Sequence, residues 1–160
     1  MKTLRLSIIA FIAVATIASC TRHDTFKNTL HDCMCGKMTV NDRDVSVRMA
    51  EGFVPDSTKP NLWRYHIVAD FRTEEEAINH TPCEDLSLTI ELLHSGNTAS
   101  GNAVDLLTAN YLEIPVDVMW DVSGGTVSVN ASDSIHNLTI SNVVVDGNRT
   151  LNGELTIVTK

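Results

Sequence analysis

The sequence predicts an all-β domain, either an antiparallel β-sandwich of about eight short strands or a small closed β-barrel, with one or two short helices. Three observations carry this reading. Apolar and polar residues alternate along Trp63–Phe71, Leu86–Leu92 and Leu112–Trp120. Strict alternation rarely comes from a helix and marks a sheet with one buried and one wet face, usually antiparallel. Turn-forming segments such as Asp146-Gly147-Asn148 separate other apolar runs. Helix signals are confined to two short stretches.

The elements follow in order. Met38 and Val40 alternate with polar neighbours, Asn41-Asp42-Arg43-Asp44 reads as a turn, and Val45, Val47 and Met49 resume the alternation, which makes a hairpin. Glu51 to Pro60 contains Gly52, Pro55 and Pro60 and reads as a loop. On the next strand Trp63, Tyr65, Ile67, Ala69 and Phe71 share one face, with Arg64, His66 and Asp70 opposite. Thr73 and Glu76 have the spacing of a capping box ahead of Ala77 and Ile78, which predicts a short helix. Leu86, Leu88, Ile90 and Leu92 then line one face of a strand. Gly96 to Gly101 is small and polar and reads as a surface loop; Ala103, Val104, Leu106 and Leu107 follow as a short helix or covering loop.

Leu112, Ile114, Val116, Val118 and Trp120 form a further alternating face, against Glu113, Asp117 and Asp121. Ser123-Gly124-Gly125 separates that strand from Val127 and Val129. Leu138 and Ile140 begin another strand, and the run Val143-Val144-Val145 breaks its alternation, as a bulge or a strand covered on both faces does. Leu151, Gly153, Leu155 and Ile157 close the domain. Residues 36–160 thus form one domain, preceded by residues 20–35 as a tether and 1–19 as a removed leader.

That leader has a defined pattern. Lys2 and Arg5 precede an apolar run from Leu6 to Ala18, too short and too diluted by Ser7 and Thr16 for a spanning helix of about 20 residues. The run ends in Ile17-Ala18-Ser19-Cys20. This tetrapeptide resembles the lipobox of bacterial lipoproteins. The resemblance covers the leader and Cys20 alone and implies cleavage before Cys20, acylation of Cys20 and attachment to a membrane of the cell envelope. No cofactor beyond that covalent lipid is expected. Thr21, in place of an Asp, favours the outer membrane over the inner.

The whole chain has a formal charge of −8. Cleavage removes Lys2 and Arg5 and no acid, so the mature chain carries −10. Such a surface repels phosphate backbones, which argues against nucleic acid as a partner. Cys33, Cys35 and Cys83 remain as candidates for a disulfide in an oxidising compartment. A bridge from Cys33 or Cys35 to Cys83 would close a loop of about 50 residues, worth about 4 kcal/mol in the chain-entropy model. A bridge between Cys33 and Cys35 is expected to be sterically poor.

Two further constellations stand out. His31, Cys33, Cys35, His80 and Cys83 supply thiol and imidazole ligands of the kind that suit Cu(I) or Zn(II), although their spacing matches no closed zinc pattern. Trp63, Tyr65 and Trp120 are candidates to line a ligand cavity if the sheet closes as a lipocalin-like barrel. Glu113, Asp117 and Asp121, roughly 13 Å apart per step on a strand, read as a solvated acidic face. No Gly-x-Ser-x-Gly, His-Glu-x-x-His, Ser-x-x-Lys or phosphate-binding glycine loop occurs, so an enzyme is not expected. The expectation is a lipid-anchored, non-enzymatic binding or accessory module, with a carrier of a small apolar ligand and a copper or zinc binder as the alternatives.

Overall fold

A computed structural model describes residues 32–79, 84–94, 97–113 and 116–160. Cys20, His31, His80, Cys83 and Pro115 lie outside the described residues, as do the leader and most of the tether. The expected antiparallel all-β class holds, with ten strands among the described residues in place of about eight.

The strands are β1 (Gly36–Val40), β2 (Arg43–Phe53), β3 (Leu62–Asp70), β4 (Glu84–Leu93), β5 (Thr98–Asn102), β6 (Leu107–Glu113), β7 (Val116–Trp120), β8 (Val122–Ser132), β9 (Ile135–Val145) and β10 (Arg149–Val158). Two short helices join them, α1 (Glu74–Ile78) and α2 (Ala103–Leu106). All ten strands belong to one sheet in the order β5-β8-β9-β10-β1-β2-β3-β4-β6-β7. The sheet is curled, so that Tyr65 on β3 meets His136 on β9 across the interior.

The fold-over centres on β2. Its first residues, Arg43 to Val45, pair with β1, and Ser46 to Phe53 pair with β3, with a register shift between Val47 and Met49. A bulge bends a strand and increases its twist. Short β1 forms a wedge between β10 and β2, which meet beyond it in a parallel bridge from Gly52 to Thr159. A Cβ at Gly52 would lie 2.8 Å from the Thr159 side chain and 3.3 Å from the Tyr65 ring. Glycine there lets the last strand close over β2 and leaves room for Tyr65.

Local chemistry explains the turns. Asn41 and Asp42 both take left-handed backbone angles between β1 and β2, as a tight hairpin requires. Asp146 and Gly147 do the same between β9 and β10. The Thr73–Glu76 capping box is formed in both directions at the start of α1.

Four expectations need correction. The Leu112–Trp120 run is not one strand: Glu113 pairs with Val116 and Leu112 with Asp117, so the chain reverses between them. Glu113, Asp117 and Asp121 therefore do not lie at equal steps along a single strand. Thr98–Asn102 is strand β5, paired with β8, because its small side chains let Leu106 pack against Gly101. Residues 123–125 are a doubly shifted part of β8, where Gly125 has φ +94 and a Cβ would collide with the Val143 backbone. The strand before the loop runs on to Phe53, leaving residues 54–61 as the connection.

The inner face is continuous and apolar. Met38, Val47, Ile67, Leu86, Leu88, Ile90, Val127, Leu138, Ile140, Leu151 and Ile157 are all buried. Among the described residues no helix is long and apolar enough to cross a membrane.

Candidate functional site

Against this apolar interior, the deeply buried polar residues among those described are few: Asp70, Arg72, His94 and His136, with the Tyr65 hydroxyl. They fall into two groups, each tied to strand β3.

The first group lies at the end of the interior near the Gly52–Thr159 bridge. Tyr65 points inward from β3, in line with Ile67 and Ala69. His94 follows β4 with the same parity as Ile90 and Leu92, and its backbone N–H donates to Asn61 O at 2.9 Å. His136 points inward from the start of β9, in line with Leu138 and Ile140. The Tyr65 hydroxyl lies 2.7 Å from His136 Nδ1 and 3.1 Å from His94 Nε2. His136 also bonds the Asp133 backbone.

Each shared contact needs one donor and one acceptor, so the single Tyr65 hydroxyl proton goes to one imidazole nitrogen while the oxygen accepts from the other, the direction following the ring tautomers. Burial pushes the Tyr65 phenol well above its ordinary pKa. Burial, with the nearby His94, holds His136 below the usual imidazole value, against the opposing pull of the Asp133 carbonyl. Both shifts favour the neutral forms.

Trp63, half-buried, covers this trio. Its ring stacks on His94 with centroids 5.4 Å apart and an interplanar angle of 18°. It also lies 4.4 Å from His136.

The second group is ionic. Asp70 has outward parity on β3 and is nevertheless fully buried. Arg72 folds back onto it, with Nη2 to Oδ2 at 2.8 Å, Nε to Oδ1 at 3.0 Å and the backbone N–H to Oδ1 at 2.9 Å. Arg48 adds Nη1 to Asp70 Oδ2 at 3.1 Å and reaches Asp85 at 3.5 Å. Burial alone would raise the Asp70 pKa; the Arg72 bonds and the charges of Arg72 and Arg48 outweigh it and leave the carboxyl below its ordinary value.

Of the aromatic residues singled out in the sequence, Trp63 and Tyr65 come together at the histidine end. Trp120 does not join them. It stacks on Tyr111, with centroids 4.9 Å apart, beside Phe71, and Arg149 lies 4.4 Å over its ring. Trp120 is level with Ala109, Leu88 and Ile67 in the ladders, so it stands three strands and about 13 Å along the strands from Trp63.

The cysteines also depart from expectation. Cys33 and Cys35 are bridged to each other, with Cα atoms 5.2 Å apart, inside the ordinary range for a disulfide. An extended chain points both side chains to one face but holds their Cα atoms roughly 6.6 Å apart; Met34 between them takes φ +52, and this left-handed turn draws them closer. The bridge takes both sulfurs out of the expected thiolate set. The remaining members, His31, His80 and Cys83, lie outside the described residues. Among the described residues no three of His, Cys, Asp or Glu converge in a manner suited to a metal ion.

The sequence reading missed His94 and His136. The signal was present as parity: extending Leu86-Leu88-Ile90-Leu92 by one step reaches His94, and extending Ile140-Leu138 backwards reaches His136. His66, on the other face of β3, bonds Ser87 Oγ at 2.8 Å and takes no part.

Compared with protein-family models, curated proteins and solved structures, the chain matches none.

Proposed function

We propose that this chain is a lipid-anchored protein of a bacterial cell envelope, cleaved before Cys20 and acylated there, acting as a non-enzymatic binding or accessory module. One observation carries the reading: Ile17-Ala18-Ser19-Cys20 closes a short basic-then-apolar leader. The short polar segment from Thr21 to His31 then leads into the β domain. Two or three acyl chains hold a protein at a bilayer durably, where one chain gives only marginal binding. Thr21 favours the outer membrane. The acidic surface favours protein, small-molecule or cationic partners over nucleic acid.

The alternative of an apolar-ligand carrier required Trp63, Tyr65 and Trp120 to line one cavity, and they are divided between two ring clusters. The alternative of a copper or zinc site on His31, Cys33, Cys35, His80 and Cys83 is weakened by the Cys33–Cys35 bridge.

The test is metabolic labelling with a radioactive fatty acid, together with the mass of the N-terminal peptide. The wild type should take up label and begin at an acylated Cys20. Cys20→Ala should take up none and retain residues 1–19. An unlabelled wild type, or a mature N-terminus elsewhere, would overturn the proposal.

A further inference from the structure

We propose that the end of the sheet marked by the Gly52–Thr159 bridge rests on the bilayer, with its exposed apolar rim in the headgroup region. This rests on the lipid-anchored reading and adds which end of the domain meets the lipid.

Five strands build the rim. β9, β10, β2, β3 and β4 succeed one another at this end, because β10 and β2 meet beyond β1 in the Gly52–Thr159 bridge. Each carries one large apolar residue there with outward parity: Ile135, Val158, Phe53, Leu62 and Leu93. Ile135 pairs with Val158, Leu62 pairs with Leu93, and Phe53 stands between the two pairs. Leu93 is 71 % exposed, Val158 63 %, Ile135 47 % and Phe53 40 %, and Val54 just beyond β2 is 58 % exposed. Exposed apolar residues scattered singly need no explanation, whereas a run across adjacent strands marks a contact with protein or membrane.

The other end of the same strands is charged. Asp146 follows β9, β10 begins at Arg149, β2 begins at Arg43-Asp44, β3 ends in Asp70 and β4 opens with Glu84-Asp85. Helix α1, which follows β3, opens with Glu74, Glu75 and Glu76. Exposed apolar residues outside the rim stand singly, as Met34 and Val104 do, or among acids. Ile78 follows the three glutamates, and Val118 and Met119 lie between Asp117 and Asp121. Anionic headgroups repel such a surface. At the apolar end Lys59, Arg64 and Lys160 nearly offset Glu51, Asp56, Glu91 and Asp133.

The covalent reach of the anchor allows either end to touch the bilayer, so the surface each end presents decides. Cys33 N–H donates to Val47 O, about 20 Å along β2 from Phe53. The chain from Cys20 to Asp32 spans at most about 43 Å. A roughly tenfold preference between two orientations requires only about 60 Å² of apolar surface removed from water, less than Leu93 and Val158 together expose.

The test places the processed, acylated protein in vesicles of phosphatidylethanolamine and phosphatidylglycerol. The vesicles carry a phospholipid with a photoactivatable diazirine near the top of one acyl chain. Flotation with the vesicles reads the anchor, and mass spectrometry of lipid-bearing peptides reads the orientation. Adducts on the peptides of Phe53–Val54, Leu93 and Val158 should exceed those on the peptides of Ile78 and Val118–Met119 at least about tenfold. The double variant Phe53→Asp, Leu93→Asp, changed at exposed positions and shown to be folded by circular dichroism, should float as before and lose that excess. A floating protein with adducts spread over both ends, or confined to the N-terminal peptide, overturns the proposal and leaves the anchor standing. So does a rim that stays free of adducts because a second copy covers it, or an excess that survives in the double variant. A protein that carries no acyl chain and does not float overturns the anchor and the orientation together.

Discussion

Strand β3 carries two buried polar clusters of opposite chemistry. Tyr65 faces the interior and is joined to His94 and His136 by bonds among neutral groups. Asp70 faces outward and is covered by Arg72, with Arg48 and Asp85 completing a balanced set of charges. The difference follows from what each face offers. In the interior a charge would have apolar neighbours and no water, so the groups there stay uncharged and satisfy one another. On the outer face the arginine stems cover the carboxylate, while Arg48 and Asp85 keep part of their side chains in solvent, at 16 % and 14 % exposure. A third pair on the same strand, Arg64 with Glu91, is exposed at 57 % and 47 % and gives the baseline.

The largest effect is expected from breaking the ionic cluster. Asp70→Ala leaves Arg72 buried without its main partner and should lower stability by about 3–5 kcal/mol, measured by denaturant unfolding. A loss under about 1 kcal/mol would mean that Arg72 and Arg48 reach water once released.

Breaking the neutral cluster should cost less. Tyr65→Phe deprives two imidazoles of their common partner and should destabilise the protein by about 1–3 kcal/mol. A loss as large as that of Asp70→Ala would remove the distinction between the clusters.

Acid separates the two. His136 is depressed in the folded state, so the unfolded chain binds more protons and stability rises with pH. Its contribution is full above the unfolded value of about 6.5 and falls as the pH drops below it. Asp70 is also depressed, and its contribution is present above the unfolded carboxylate value of about 3.9 and disappears as the pH falls through the lower folded value. Stability against pH should therefore decline in two stages, and His136→Gln should remove the upper stage alone. A single decline near the carboxylate range in the parent protein would show that His136 takes up its proton without cost.

The smallest effect sharpens the scale. Arg64→Ala removes an exposed pair and should change stability by no more than about 1 kcal/mol.

How much of this was legible follows from the range of each interaction. The Trp63–Phe71 and Leu86–Leu92 faces, the Thr73–Glu76 cap and the Asp146-Gly147 turn rest on neighbours in sequence, and each is where the residues place it. The β6–β7 hairpin was hidden because alternation looks the same in both strands, while the antiparallel pairing reverses which parity faces inward. Trp120 pairs with Ala109 and both are buried, whereas Leu112 pairs with Asp117 and lies on the other face. Strand β5 was hidden because its small residues gain their role from Leu106 and β8. Half of the polar cluster was legible, since Trp63 and Tyr65 were singled out together. His94 and His136 were passed over because a polar residue at an inward step looks like the end of a strand. Only the curl of the sheet brings β9 to β3.

The most direct test of the neutral cluster is the nitrogen-15 spectrum of the histidine side chains at neutral pH. The predicted result is a neutral His136 whose Nδ1 shares a slowly exchanging proton with the Tyr65 oxygen. An imidazolium at His136, or a Tyr65 hydroxyl that exchanges like an exposed phenol, would contradict it.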